Sequence, residues 1–372
     1  MPRSAYIHVP FCRHRCGYCN FTVIAGRDDL IDDYLRAIEI ELGWLGEPHP
    51  IETLFFGGGT PTHLSPQQLE RFFEIVLMQF PLADGAEMSV EANPEDIDAA
   101  KVEVLAAHGV NRVSLGVQSF RDEKLKTLER GHSSEQVAQC MKLLRPQIEN
   151  VSLDLIFGSP DETLTDWQRD LELAMALSPN HMSTYGLTYE PGTQFHVRRD
   201  KQELHQLPED TEREMYELAI DSLTSAGFEH YEVSNFAKPG SRCRHNEAYW
   251  LCHEFYGVGP GASSHVGGVR RSNHRSTTNY LKKVADGVSP VEDTEELNEI
   301  DKAHERLVFG LRRIDGVNRN DFRSTTGKDI MDVSGKNLAW LADEGLLEID
   351  DHRVRLTRKG LLVSDSIWPY LL

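Results

Sequence analysis

A chain of 372 residues, 40% hydrophobic and 26% charged, has an ordinary globular composition and enough length for more than one core. Its formal net charge of −20 argues against a nucleic-acid binder, since phosphate contacts need a basic footprint, and against docking on anionic lipid. No run approaches the ~20 apolar residues that span a membrane, no charged-then-apolar leader opens the sequence, and six cysteines without an export signal point to the reducing cytoplasm.

Six short apolar or β-branched runs read as strands: Ala5–Val9, Thr53–Phe56, Met88–Glu91, Arg112–Val117, Val151–Phe157 and His181–Leu187. Each precedes a helical pattern, near Leu30–Leu45, Pro66–Gln79, Asp96–His108, Gln136–Leu144, Leu164–Leu177 and Glu209–Ala226. Ser65-Pro66 supplies a cap and a first-turn proline. Strict β-α alternation makes a parallel sheet with right-handed crossovers. Six units suit a partial barrel better than a closed eightfold one, although a doubly wound sheet gives the same local pattern.

The stretch Phe228–His265 reads as irregular and rich in glycine, aromatics and histidine. Helices near Ile300–Arg312 and Lys336–Glu344 then lead to a hairpin over Leu346–Leu356, turning at Asp350-Asp351, and a short helix near Gly360–Ser366. Helix, helix, hairpin resembles a winged helix. A DNA reader needs a basic recognition helix, whereas the second helix offers Lys336 against Asp343 and Glu344, so a structural or partner-binding cap is expected. The division is a barrel over 1–235, an irregular connection over 236–293 and a winged-helix-like α+β domain over 294–372.

Cys12, Cys16 and Cys19 lie within eight residues as C-x3-C-x2-C, just after the first strand. Three thiolates on one loop can hold three irons of a 4Fe–4S cluster and leave the fourth open. A structural zinc would need a fourth ligand, such as His8 or His14, and disulfides would leave one thiol odd in an oxidising compartment. In parallel barrels chemistry gathers where strands end. There the sequence places Gly57-Gly58-Gly59-Thr60-Pro61, Glu91-Ala-Asn-Pro94, Gly116-Val-Gln118-Ser119 with Arg130-Gly131-His132 beyond, Asp154 inside an apolar strand, and Thr188. Glycines let a ligand approach the backbone. A carboxylate such as Glu91 can accept from both ribose hydroxyls. A buried acid such as Asp154 needs a partner, with Arg130 or the ligand as candidates.

The C-x3-C-x2-C motif with Tyr18 before its last cysteine resembles the signature of the radical S-adenosylmethionine (SAM) superfamily. The ordered set E-A-N-P, G-V-Q-S-F, R-G-H and D-L-I-F-G-x-P resembles its coproporphyrinogen-type branch. That resemblance implies an α/β fold, a partial (β/α)6 TIM-type barrel. It implies a 4Fe–4S cluster on Cys12, Cys16 and Cys19, and SAM contacted by Tyr6, Tyr18, Gly58, Gly59, Thr60, Glu91, Gln118, Arg130, Asp154 and Thr188. It also implies a low-potential electron donor whose electron cleaves the SAM sulfonium.

Two functions within that branch fit the residues. One is oxygen-independent coproporphyrinogen III oxidase, an enzyme of porphyrin biosynthesis. The other is the haem chaperone family, which carries haem as cargo to client apo-haemoproteins such as respiratory cytochromes. The oxidase pattern has a fourth cysteine where this chain has Phe21, and an N-terminal extension where only a few residues precede the first strand. His245-Asn-Glu-Ala-Tyr249-Trp250 resembles the chaperone family's H-N-x-x-Y-W motif. His245 is therefore the expected haem ligand, with Cys243 or one of His230, His253, His265 and His274 as alternatives, and Tyr249 and Trp250 could stack on the porphyrin. Cys140 and Cys252 read as packing residues.

Overall fold

A computed structural model describes all 372 residues. The chain opens with β1 (Ser4–Val9), then the cysteine loop, pinched by the parallel two-residue pair β2 (Phe11–Cys12) and β3 (Ile24–Ala25). Alternation follows: α1 (Ile31–Gly43), β4 (Ile51–Gly58), α2 (Pro66–Gln79), β5 (Leu82–Ala92), α3 (Ala99–Ala107), β6 (Arg112–Gln118), α4 (Asp122–Thr127), α5 (Ser134–Leu144), β7 (Asn150–Phe157), α6 (Leu164–Ala176), β8 (His181–Gly186), α7 (Gln194–Asp200) and α8 (Glu209–Ser225). Ser65 caps α2 reciprocally with Gln68, as its sequence promised.

Strands β1, β4, β5, β6, β7 and β8 pair in parallel, in that order. Their outer faces bury Ile7, Leu54, Phe56, Val90, Val113 and Leu153 against the helices. The sheet is curved but its two ends do not pair with each other, so the fold is a partial barrel.

The region expected to be irregular is not. It forms β9 (Glu229–Glu232), β10 (Asn235–Ala237), α9 (Arg244–Trp250), β11 (Phe255–Val258), β12 (Ser263–Val266), β13 (Val269–Asn273), α10 (Thr277–Ala285) and β14 (Val291–Glu296). β10 adds antiparallel to β8 at one edge, β11 adds parallel to β1 at the other, and β12–β14 extend that edge to twelve strands in all. The strands are short and interrupted by left-handed glycines such as Gly259 (φ 103°) and Gly261 (φ 72°), which hide the alternation a longer strand would show. Gly259 cannot carry a side chain in any case, because a Cβ there would meet the His8 carbonyl oxygen at 2.6 Å.

The C-terminal unit has its own core, including Leu307, Leu311, Phe322, Leu338 and Val354. Its order is α11 (Glu299–Leu311), β15 (Val317–Asn318), α12 (Arg319–Thr326), α13 (Ile330–Asp343), β16 (Leu347–Ile349) and β17 (Arg353–Leu356), a winged-helix arrangement. The sequence reading missed α12, a short polar helix capped by Asn318 and ended by left-handed Gly327. Main-chain bonds from Val233 N to Arg312 O and from Ile314 N to Tyr231 O, both 3.1 Å, fasten the unit to the barrel edge.

One buried ionic group braces the strand ends. Lys124 Nζ lies 2.5 Å from Glu162 and 3.1 Å from Asp170, all three side chains almost fully buried. Asp170 also accepts from Ser119 Oγ (2.6 Å) and Phe120 N (2.9 Å). Removing one partner of such a group strands the others without compensation. Lys124→Met is expected to lower the unfolding free energy by about 3–5 kcal/mol, read as a lower urea midpoint at unchanged slope.

Candidate functional site

The cysteine loop packs over the mouth of the barrel. Thr60 Oγ1 lies 3.5 Å from Cys12 Sγ and accepts from Asn93 Nδ2 at 2.7 Å. Arg130 then continues the chain: its Nη2 donates to Asn93 Oδ1 and, at 2.9 Å, to Gly116 O, while Nη1 lies 3.8 Å from Cys16 Sγ. Glu129 holds the loop from beneath, accepting from Gly17 N at 2.8 Å. Tyr18 packs edge-on against Phe195, with ring centroids 5.9 Å apart. All six cysteines are free thiols. Burial pushes the Cys12 thiol up to about 12, against the Thr60 hydrogen bond, and also raises Cys19. Half-buried thiols of this kind become thiolates when cations bind them. No three His, Cys, Asp or Glu side chains gather around one ion position. The thiols are not arranged as a single-zinc site; in a cubane cluster each thiolate binds a different iron.

The glycines of the second strand end are required by close packing. A Cβ on Gly58, where φ is 106°, would meet the His8 ring at 2.3 Å, and one on Gly59 would meet the carbonyls of Val9 and Phe11 at 2.7 Å. Gly58 N donates to Glu91 Oε2 at 2.9 Å. Burial, together with the nearby Asp154 carboxylate, pushes Glu91 up to about 7 despite that amide. Tyr6 stacks on Phe55 (6.1 Å, 27°) and its hydroxyl contacts His8 Nδ1 at 3.0 Å. Gln118 sits at a register break in β6 with a left-handed backbone, φ 64°, the strained geometry that recurs at ligand sites. Thr188 is exposed just past β8.

Two of the expected residues, Asp154 and His245, are already hydrogen-bonded within the protein. Asp154 is partnered by serines, not by Arg130: Ser114 Oγ lies 2.9 and 2.8 Å from its two oxygens and Ser152 Oγ 3.3 Å away. Small hydroxyls satisfy the acid locally, and burial still raises it above the usual carboxylate range. His245 is enclosed in this structure. Its ring is 1% exposed, Nδ1 is 2.9 Å from Thr53 Oγ1, Nε2 is 2.8 Å from Tyr249 Oη, and Phe55 stacks on it at 5.1 Å. Both ring nitrogens are used, and burial lowers its basicity to about 3. Cys243 is equally enclosed, with its thiol 3.6 Å from Glu87. Glu87 also accepts from the amides of Arg244 (3.1 Å) and His245 (3.0 Å), which fixes the start of α9.

Asn93 and Glu129 were missed. Asn93 is two residues after Glu91 and Glu129 precedes Arg130, so strand periodicity could have flagged the first. Only the fold brings Glu129 under the cysteine loop.

A cofactor fit is supported by one orphaned donor. Arg130 Nε is buried without a partner, beside thiols and exposed strand-end backbone. A bound anionic group such as a carboxylate would satisfy it.

Residues 6–174 match the Radical SAM superfamily and residues 297–363 match the HemN C-terminal domain. Heme chaperone HemW of Bacillus subtilis is 36% identical over 100% of this chain and 99% of its own length. The Escherichia coli protein of that name is 34% identical over 100% and 98%. Among solved structures, coproporphyrinogen III oxidase (HemN) from Escherichia coli superposes with a TM-score of 0.88 over 100% of this chain and 90% of its own, at 23% identity, a likeness of fold. No helix is long and apolar enough to cross a membrane.

Burial pushes Glu91 up to about 7, so its ionised form, the stronger hydrogen-bond acceptor, is lost below that pH. SAM affinity is expected to fall up to tenfold per pH unit below 7, each unit being about 1.4 kcal/mol. Calorimetric titration from pH 6 to 8 checks this, and Glu91→Gln should bind more weakly with no such slope.

Proposed function

We propose, on the premise that this chain belongs to the heme chaperone HemW family of the radical SAM superfamily, that it binds haem and delivers it to apo-haemoproteins. The observation that carries this is similarity at 36% identity along the whole chain to a protein of that name. The oxidase HemN shares the fold at lower identity. Phe21, in place of that enzyme's fourth cysteine, supports the same choice.

In this reading Cys12, Cys16 and Cys19 hold three irons of a 4Fe–4S cluster. Gly58, Gly59 and Thr60 offer backbone and hydroxyl to the methionine end of SAM, and Arg130 supplies its free Nε–H. Glu91 takes the ribose hydroxyls. Gln118, Asp154, Thr188, Tyr6 and Tyr18 shape the rest of the pocket. When bound, cluster and SAM together supply low-potential one-electron chemistry. The chain's own part is mechanical: the Thr60–Asn93–Arg130 bonds hold loop, second strand and third strand in one register, and Tyr6, Phe55 and Tyr249 wall the lumen. Clients such as respiratory cytochromes, a low-potential electron donor and a cytoplasmic location belong to the same proposal, because six free thiols and a cluster need reducing surroundings.

The test is anaerobic cluster reconstitution, haem loading, desalting, and incubation with an apo-cytochrome. Retained haem that moves to the apoprotein, with no decarboxylation of coproporphyrinogen, is the expected result. Absence of retained haem with measurable decarboxylation would overturn the assignment in favour of the oxidase.

A further inference from the structure

The cysteine loop has two legs, and they are held differently. The first is tied to the barrel mouth through Cys12, Cys16 and Gly17, which reach Thr60, Arg130 and Glu129. Cys19 is not among these ties: its amide bonds within the loop, donating to Cys16 O at 3.0 Å. The residues that follow it, Asn20–Thr22, are met chiefly by the sheet extension. Arg275, between β13 and α10, donates from Nη2 to Asn20 O at 2.6 Å and from Nε to Thr22 Oγ1 at 3.3 Å. Gly261, between β11 and β12, leaves no room for a Cβ, which would run into Thr22 Oγ1. From β1, His8 Nε2 lies 2.8 Å from Thr22 O.

An arginine on a surface loop anchors another segment only if its own loop is fixed, and this one is. Two residues before Arg275, Asn273 Nδ2 donates to Glu41 Oε1 at 2.6 Å and to Gly259 O at 3.0 Å. Glu41, on α1, also accepts from Gly259 N at 2.9 Å and from Tyr280 Oη at 2.5 Å. Gly261 N donates to His274 O at 3.1 Å. Glu41, Asn273 and Tyr280 are all buried, and burial raises the Glu41 carboxyl above its usual range against these donors. A buried polar network whose members are all met is rigid. This one locks the β11–β12 turn, the end of β13 and the start of α10 onto α1, and Arg275 projects from that block.

We propose that Arg275 is a positioning residue for the third cluster thiolate: it fixes the Asn20–Thr22 leg, and with it Cys19, where one cubane shared with Cys12 and Cys16 requires it. The inference rests on the cluster reading of the three cysteines. A cluster held by three thiolates has no protein ligand to spare, so freedom in one leg is read as loss of iron. The guanidinium binds the leg at two points, a carbonyl and a hydroxyl two residues apart. A lysine keeps the charge and one donor but not that fork.

The experiment uses the full chain, reconstituted anaerobically, with iron and sulfide counted per chain and cluster loss to an iron chelator followed by visible absorbance. Arg275→Ala is expected to lose its cluster about fivefold faster than wild type and to change the electron paramagnetic resonance line shape of the reduced cluster. Arg275→Lys should restore part of the rate. Arg271→Ala, which removes a like charge from β13 nearby, should behave as wild type. Far-ultraviolet circular dichroism and the urea midpoint of the cluster-free protein should be the same in every variant, which separates loop positioning from a folding defect. Equal chelation rates and line shapes in wild type and Arg275→Ala would overturn the role of Arg275 and leave the cluster reading intact, and so would equal acceleration in Arg271→Ala. A wild type that takes up no iron would remove both.

Discussion

A buried guanidinium holds the site together. Arg130 is drawn into the barrel mouth, where its donors reach the second cysteine, the side chain of Asn93 and the carbonyl of Gly116. A cation in such a place is tolerated only when its hydrogens are met, so the loops that meet them are fixed relative to each other. Thr60 extends the same chain to the first cysteine through Asn93. Nε is the one nitrogen of the group left without a partner, and an anionic ligand group would meet it.

The lumen follows from the same rule. Inward-facing residues of the parallel strands are mostly polar: Thr53, Glu87, Arg112, Ser114, Ser152, Asp154 and His181. Each is met locally. His181 bridges Ser152 Oγ (2.8 Å) and Tyr231 Oη (2.9 Å), and Arg112 Nη1 donates to Ser241 O at 3.0 Å. Satisfied networks of this kind keep a wide, half-open barrel from collapsing around its ligand space. The extra strands at both edges cover exposed hydrogen-bonding groups that an open six-stranded sheet would leave bare.

The H-N-x-x-Y-W motif also serves the fold. Its histidine is chemically able to bind haem iron, yet Thr53 and Tyr249 consume both nitrogens, and the neighbouring cysteine is sealed against Glu87. Its value to the fold is a fixed tyrosine and a fixed helix end, from which the chain turns back into β11 beside β1.

Local sequence determined a good deal. The six strands and their helices were legible because buried parallel strands are short apolar runs and amphipathic helices repeat every 3–4 residues. The cysteine spacing and the glycine run were legible because ligand sets and close backbone approach demand those residue types. Tertiary structure alone decided the rest: that the glycine-rich stretch extends the sheet, that serines rather than Arg130 partner Asp154, and that His245 is enclosed. A histidine's hydrogen-bond partners lie far away in the chain, 192 positions in the case of Thr53 and His245. No local pattern encodes whether its nitrogens are already taken.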